Sequence, residues 1–94
     1  MQFEWDEAKN QETARVRGFD FLFAILIFNG RVVEYEDTRF QYGEPRIIAT
    51  GIAQGRRLTV IYTDRVSNGE PVRRIISARA SNRRERRQYE EAHS

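Results

Sequence analysis

The chain has 94 residues, 39% of them apolar, which suits one domain with a modest core and is too apolar for a disordered polypeptide. It has no cysteine, and its one histidine, His93, lies next to the C-terminus. Disulfides, thiolate metal sites and histidine nucleophile–base pairs are therefore excluded, and acid–base chemistry falls to Asp, Glu, Tyr, Lys or Arg.

The net charge of +2 hides an asymmetry: residues 1–44 hold five cations and nine acids, and residues 45–94 hold eleven cations and five acids. The second half suits a polyanion and the first half something basic. Fifteen of the sixteen cations are arginine, whose planar fork binds phosphate in a way that lysine cannot.

The N-terminal residues Phe3-Glu4-Trp5-Asp6-Glu7 are acidic and do not read as a signal peptide. Phe3-Glu4-Trp5 alternates and suits a short strand. Asp6 is an N-cap residue, and residues 7–17 read as a surface helix ending at Gly18 in a C′ position. Asp20 is a second N-cap. Residues 21–28 are apolar all round, and the Asn29-Gly30 stop favours a helix over a strand. Such a helix needs cover on more than one side, from the sheet and from the first helix, a second copy or a partner. The apolar stretch 19–28 is too short to span a bilayer, so no membrane is expected and a cytoplasmic location follows.

From Arg31 the pattern changes to period two. Residues 32–36 suggest a strand, 37–44 a loop and 46–52 a second strand. Gln54-Gly55 suggests a tight turn before a strand at 57–63 that is rich in β-branched residues. Ser67 to Pro71 reads as a long hairpin loop, 72–78 as a fourth strand and 82–92 as a closing helix. The expected fold is α+β: two N-terminal helices on a four-stranded antiparallel meander, with a C-terminal helix. Residues 1–94 form one domain on this reading, with no internal repeat.

The strongest functional signal lies at residues 73–87, which hold seven of the sixteen cations. Asn82 followed by Glu85 is a capping-box pattern. Arg83, Arg84 and Arg86 crowd the first turn, where the helix dipole disfavours cations, so a phosphate at this strand–helix junction would fit. A solvated basic helix is the plainer reading.

Three strings together resemble the BrnT family of toxins. They are Phe3-Glu4-Trp5-Asp6-x-x-Lys9, Asp37-x-Arg39-x-x-Tyr42-Gly43-Glu44-x-Arg46 and Ile76-Ser77-Ala78-Arg79-Ala80-x-x-Arg83-Arg84-Glu85-x-x-x-Tyr89-Glu90. The resemblance implies a RelE-like fold and ribonuclease activity in a type II toxin–antitoxin pair. It implies a BrnA-like antitoxin with a ribbon-helix-helix region, through which DNA is met indirectly. Cleavage would proceed by attack of the ribose 2′-OH on the adjacent phosphate, without a metal or other cofactor. The carry-over of catalytic residues falls on Arg65, Asp64, Arg79 and Tyr89. The basic run itself, Arg83, Arg84, Arg86 and Arg87, together with Arg74, suits holding RNA or an acidic partner. Val16-Arg17-Gly18 stands where the family commonly has Lys-His-Gly.

Arginines at strand ends are firmly held and suit stabilisation of a phosphorane. The base would be Asp64, Glu85, Lys9 or Tyr89, none of which titrates near neutrality unperturbed. Plainer roles stand beside these. Arg65 suits a solvated strand end, and Arg79 a partner for a carboxylate. Tyr89 and Trp5 suit core positions, Asp37, Arg39, Glu44 and Arg46 a salt-bridge set, and Glu85 the capping box. Two other functions fit the same residues: a non-catalytic module that binds nucleic acid or a repressor, and an interaction subunit that pairs, for example as a homodimer, through residues 21–28.

Overall fold

The computed structural model describes residues 1–39, 41 and 43–93. Tyr42, part of the second string above, lies outside them. The order is β1 (Gln2–Trp5), α1 (Glu7–Arg17), α2 (Phe21–Ala24) continuing as a 3-10 helix (Ile25–Asn29), β2 (Val33–Glu36), β3 (Ile47–Ala53), β4 (Arg56–Ser67), β5 (Glu70–Ala80) and α3 (Arg83–Ala92).

The local signals at the helix ends hold. Asp6 Oδ1 accepts from the Ala8 and Lys9 amides, and Gly18 closes α1 at φ 79°, the left-handed conformation a C′ glycine takes without penalty. Asp20 caps α2 by accepting from the Phe23 amide at 2.9 Å. The expected helix over 21–28 is only partly α: after one turn it tightens into 3-10 geometry and drops across β3. Gly51 makes that crossing possible, because a Cβ there would stand 2.8 Å from the Ile27 Cβ.

The sheet corrects the expectation of four antiparallel strands. It has five strands in the order β1-β5-β4-β3-β2, and β1 adds to the edge in parallel, Gln2 opposite Val72 and Trp5 opposite Ile75. The other pairs are antiparallel. The long loop expected at Ser67–Pro71 is a two-residue turn. Asn68 (φ 52°) and Gly69 (φ 77°) both sit at positive φ, as do Gln54 and Gly55, so both long hairpins close by the turn type that suits strand twist. The strands beside Asn68-Gly69 therefore run to Ser67 and from Glu70.

Successive strand residues face opposite sides of a sheet. One side carries Leu58, Val60, Tyr62, Ala49, Ala53, Ile75 and Ala78, which pack on Phe19, Phe21, Ala24 and Ile27 to form the core. Phe21, Ile27, Leu58, Val60 and Ile75 are almost wholly buried, each stabilising the fold by about 1.5–3 kcal/mol. The other side carries Thr50, Thr59 and Thr63, and is covered by α3 at one end and by the segment between β2 and β3 at the other. This second side is where the site lies.

Candidate functional site

Arg79 is the second-last residue of β5, and only Ser81 and Asn82 separate the strand from α3. Asn82 Oδ1 accepts from the Glu85 amide at 2.8 Å, and Glu85 Oε1 accepts from the Asn82 amide at 2.9 Å, a complete capping box. The fold-back that closes the box aims the Glu85 carboxylate at the strand end. There it takes both terminal nitrogens of Arg79, Nη1 at 2.6 Å and Nη2 at 2.8 Å. Thr59 adds a fourth hydrogen bond to Glu85 at 3.1 Å and links it to the hydroxyls of Ser81 and Thr50 at 2.8 and 3.0 Å. Glu85, Thr59, Thr50 and Ser81 are all buried.

Burial alone would raise the Glu85 carboxyl. The Arg79 guanidinium, the Asn82 amide and the Thr59 hydroxyl outweigh it and hold the group below the usual carboxylate range. In the same contact, the hydrogen bond to Glu85 raises Arg79 above its ordinary value. The pair is thus a fixed cation on a fixed carboxylate, and the bidentate contact locks the plane of the guanidinium.

Arg79 stays partly open, at 30% side-chain exposure. It lines a cleft of about 430 Å³ between α3 and the end of β2, with Tyr35, Arg39, Asn82, Arg84 and Gln88 also on its walls. Asp37 lies buried at the cleft and takes Arg39 through Nε at 2.9 Å and Nη2 at 3.0 Å. Three arginines and the acids Glu36, Asp37 and Glu85 balance inside the cleft. Surplus positive charge sits on the exposed surface of α3, where Arg83 and Arg87 stand one turn apart.

The residues expected to act together are not all together. Asp64 and Arg65 are neighbours on β4 and so face opposite sides of the sheet. Asp64 lies on the helix side, bound by Arg73 at 2.8 and 3.0 Å, and Arg73 itself stacks over Tyr62 and Phe28 at 4.0 and 4.8 Å. Tyr62 donates to Glu34 in the same cluster, and burial followed by that contact pushes its phenol up. Arg65 shares the cleft side of the sheet but pairs with Glu44 at 3.1 Å, at the far end. It lies opposite Val72, and Arg79 is seven residues further along β5, a separation of about 23 Å at ~3.3 Å per residue.

Tyr89 is a core residue of the α3 underside, its hydroxyl donating to the Arg31 carbonyl at 3.2 Å. Arg74 pairs with Glu4 at 2.6 Å and helps hold β1 to the sheet. Arg84 lines the cleft, whereas Arg83 and Arg87 are exposed and make no ion pair among the described residues. Lys9 is exposed on α1. Trp5 packs edge-on against Phe21. Of the expected salt-bridge set, Asp37 meets Arg39 and Glu44 meets Arg65. The cleft residue that sequence reasoning missed is Tyr35, which looked like any strand position; only the register Tyr35 opposite Ile48 puts it on the cleft side.

A second hollow of about 430 Å³ opens on the helix layer, lined by Phe3, Leu22, Phe23, Ile25 and Leu26, and Leu22 is 63% exposed. Among the described residues no three carboxylates or imidazoles gather as a metal-binding group, and no helix is long and apolar enough to cross a membrane.

The site is thus a carboxylate-locked arginine in an open cleft, next to an arginine-rich helix, on a small α+β fold. The family comparison is more specific: the model of the ribonuclease toxin BrnT of type II toxin–antitoxin systems matches residues 5–85. The chain belongs to this family of ribonuclease toxins. No curated protein matches it.

Proposed function

We propose that the chain is an RNA endonuclease toxin of the cytoplasm that works in the cleft between α3 and β2, with Arg79 on the scissile phosphate. The observation that carries this reading is the lock on Arg79. Its two terminal nitrogens are fixed by Glu85, yet the guanidinium still lines open space and keeps further N–H donors for a ligand. A cation held in place before the reaction needs no reorganisation when charge develops on the phosphorane formed by 2′-OH attack. Arg84 is the second cleft cation. Arg83 and Arg87 on α3 contribute attraction for the RNA backbone, as do Arg74 and Arg65 along the same side of the sheet.

The reaction runs on arginine electrostatics without a metal. None of the expected bases is poised to take the 2′-OH proton: Asp64 is on the other side of the sheet, Lys9 is on α1, Tyr89 donates to a carbonyl, and the Glu85 carboxylate already accepts four hydrogen bonds and is held below its usual range, which makes it a weak base. Slow turnover follows, since general base catalysis is worth about 10²–10⁴-fold. The antitoxin partner is BrnA-like, a ribbon-helix-helix protein that brings the toxin to DNA.

Purified protein should cleave RNA in the presence of a chelator. Arg79→Ala should lower the rate about 100-fold or more, the loss typical of one preorganised oxyanion donor, with Arg79→Lys intermediate. Intact RNA with the wild type, or normal cleavage by Arg79→Ala below its unfolding temperature, refutes the assignment. One observation favours a non-catalytic RNA-binding module instead, namely the missing base; salt-sensitive RNA binding with no cleavage would select it.

A further inference from the structure

We infer that Tyr35 is a stacking platform for an unpaired nucleobase, which makes the cleft a site for single-stranded RNA, with the base on Tyr35 and the neighbouring phosphate at Arg79. The inference rests on the reading of the chain as an RNA-binding toxin and adds the conformation of the substrate.

Tyr35 is 45% exposed, a high value for an aromatic side chain in the middle of a strand. It lies on β2, the edge strand, opposite buried Ile48. That row continues through Ile61 to Ser77, and the next row runs from Val33 through Thr50 and Thr59 to Arg79. Tyr35 and Arg79 thus rise from the same side of the sheet, and both line the cleft. No ring of another aromatic residue covers Tyr35 among the described residues.

Three physical points turn that placement into a ligand class. First, a flat ring open to solvent beside a fixed guanidinium offers one apolar face and one phosphate contact, the two things a nucleotide presents. Second, the cleft's volume of about 430 Å³ falls in the range of sites that enclose a small ligand, and one nucleotide is of that size. Third, a base inside a duplex has both faces stacked, so only an unpaired base can use Tyr35. Asn82 and Gln88 also line the cleft and bring amide side chains to it, though the Asn82 Oδ1 already accepts from the Glu85 amide. Stacking is tolerant of sequence because every base has a π face, so the platform selects unpaired RNA over duplex before it selects a sequence.

The test is binding of a fluorescent 2′-O-methyl oligonucleotide of mixed sequence, which lacks the 2′ nucleophile and stays intact. Its affinity is compared with that of the matching duplex. Tyr35→Ala should weaken single-strand binding about tenfold, within the span of one lost base–aromatic stack, and Tyr35→Phe should bind within about twofold of wild type. Neither change should alter the slope of log affinity against log salt, because no charge is removed. The duplex should bind at least about tenfold more weakly than the single strand, with no response to Tyr35→Ala. Both variants should melt within a few degrees of wild type, as exposed positions do.

Single-strand binding that is unchanged in Tyr35→Ala overturns the inference and leaves the RNA reading intact. An equal loss in Tyr35→Phe also overturns it, since the hydroxyl and not the ring would then matter. Equal affinity for duplex and single strand does the same. A wild-type protein that binds no RNA at low salt sinks both the inference and the function on which it rests.

Discussion

Replacing Glu85 by glutamine removes one charge from the centre of the site and changes almost nothing in volume. Glu85 is 3% exposed, and its carboxylate accepts four hydrogen bonds, two of them from Arg79. The glutamine amide keeps one acceptor and turns an NH₂ group towards the guanidinium. Breaking a fully buried ion pair by removing one partner costs about 3–5 kcal/mol. Arg79 keeps 30% side-chain exposure, so water takes up part of its charge, and a loss of roughly 2–3 kcal/mol is expected. In a domain of this size that lowers the melting temperature by roughly 10–20 °C.

The sign of the pH dependence follows from the depressed Glu85 carboxyl. A carboxylate held below its unfolded value adds stability that is whole above that value, about 4.3, and is lost as pH falls through the folded one. Urea unfolding at pH 7 and at pH 3 should therefore show a large deficit for Glu85→Gln at pH 7 that shrinks at pH 3. Equal stability at pH 7, or a deficit unchanged at pH 3, refutes the view of Glu85 as the ionised anchor of Arg79.

Two further outcomes test the frame around the site. Gly51→Ala should destabilise by about 1–2 kcal/mol in chemical denaturation, because the new methyl meets the Ile27 Cβ, part of a fully buried residue that cannot swing away; a variant at least as stable as wild type would show that the 3-10 helix is free to move. Asp64→Asn should lose about 1 kcal/mol of stability with its half-exposed pair to Arg73, and RNA cleavage should stay within about twofold of wild type; a hundredfold loss of cleavage would return Asp64 to the chemistry.

What was legible in the sequence was local. Asp6, Gly18, Asp20 and the Asn82–Glu85 box act over three or four residues, and each does what its type predicts. The stretch 21–28 was harder, since an all-apolar sequence carries no period to distinguish an α from a 3-10 path. The choice is made by the crossing over Gly51, which local sequence does not encode. The parallel pairing of β1 with β5 joins residues about seventy positions apart and leaves no local trace. Asn68-Gly69 was hidden among its own neighbours: Ser67, Glu70 and Pro71 looked like loop, yet Pro71 pairs with Val66 one residue outside the stretch that β1 adds to.

Arg79 was legible as the arginine before a cap. The set around it was not, for two reasons. Alternation separates Asp64 from Arg65, and the tight Asn68-Gly69 turn lengthens both strands, carrying Arg65 far from α3. Tyr35 gave no sign at all, because its position on the cleft depends on the register of β2 against β3.

The arginines at the start of α3 invite the view that the helix N-terminus itself is the anion site. The geometry argues for a division of labour. The box takes the Asn82 and Glu85 amides for its own side chains, so two of the amides at that helix end already have acceptors. Glu85 also supplies the negative charge that the helix dipole favours there, which offsets the cost of Arg83, Arg84 and Arg86 in the first turn. Those two amides and the dipole are therefore served without a ligand. Because Glu85 sits at the third position of the helix, folding back to cap it brings its carboxylate over the strand end, within reach of Arg79 across a two-residue link. Capping the helix and orienting the arginine are one act of folding. Of the exposed arginines on α3, Arg86 donates to the Ser81 carbonyl, whereas Arg83 and Arg87 make no ion pair among the described residues; on the proposed reading these two serve long-range attraction for RNA while Arg79 is held for the chemistry.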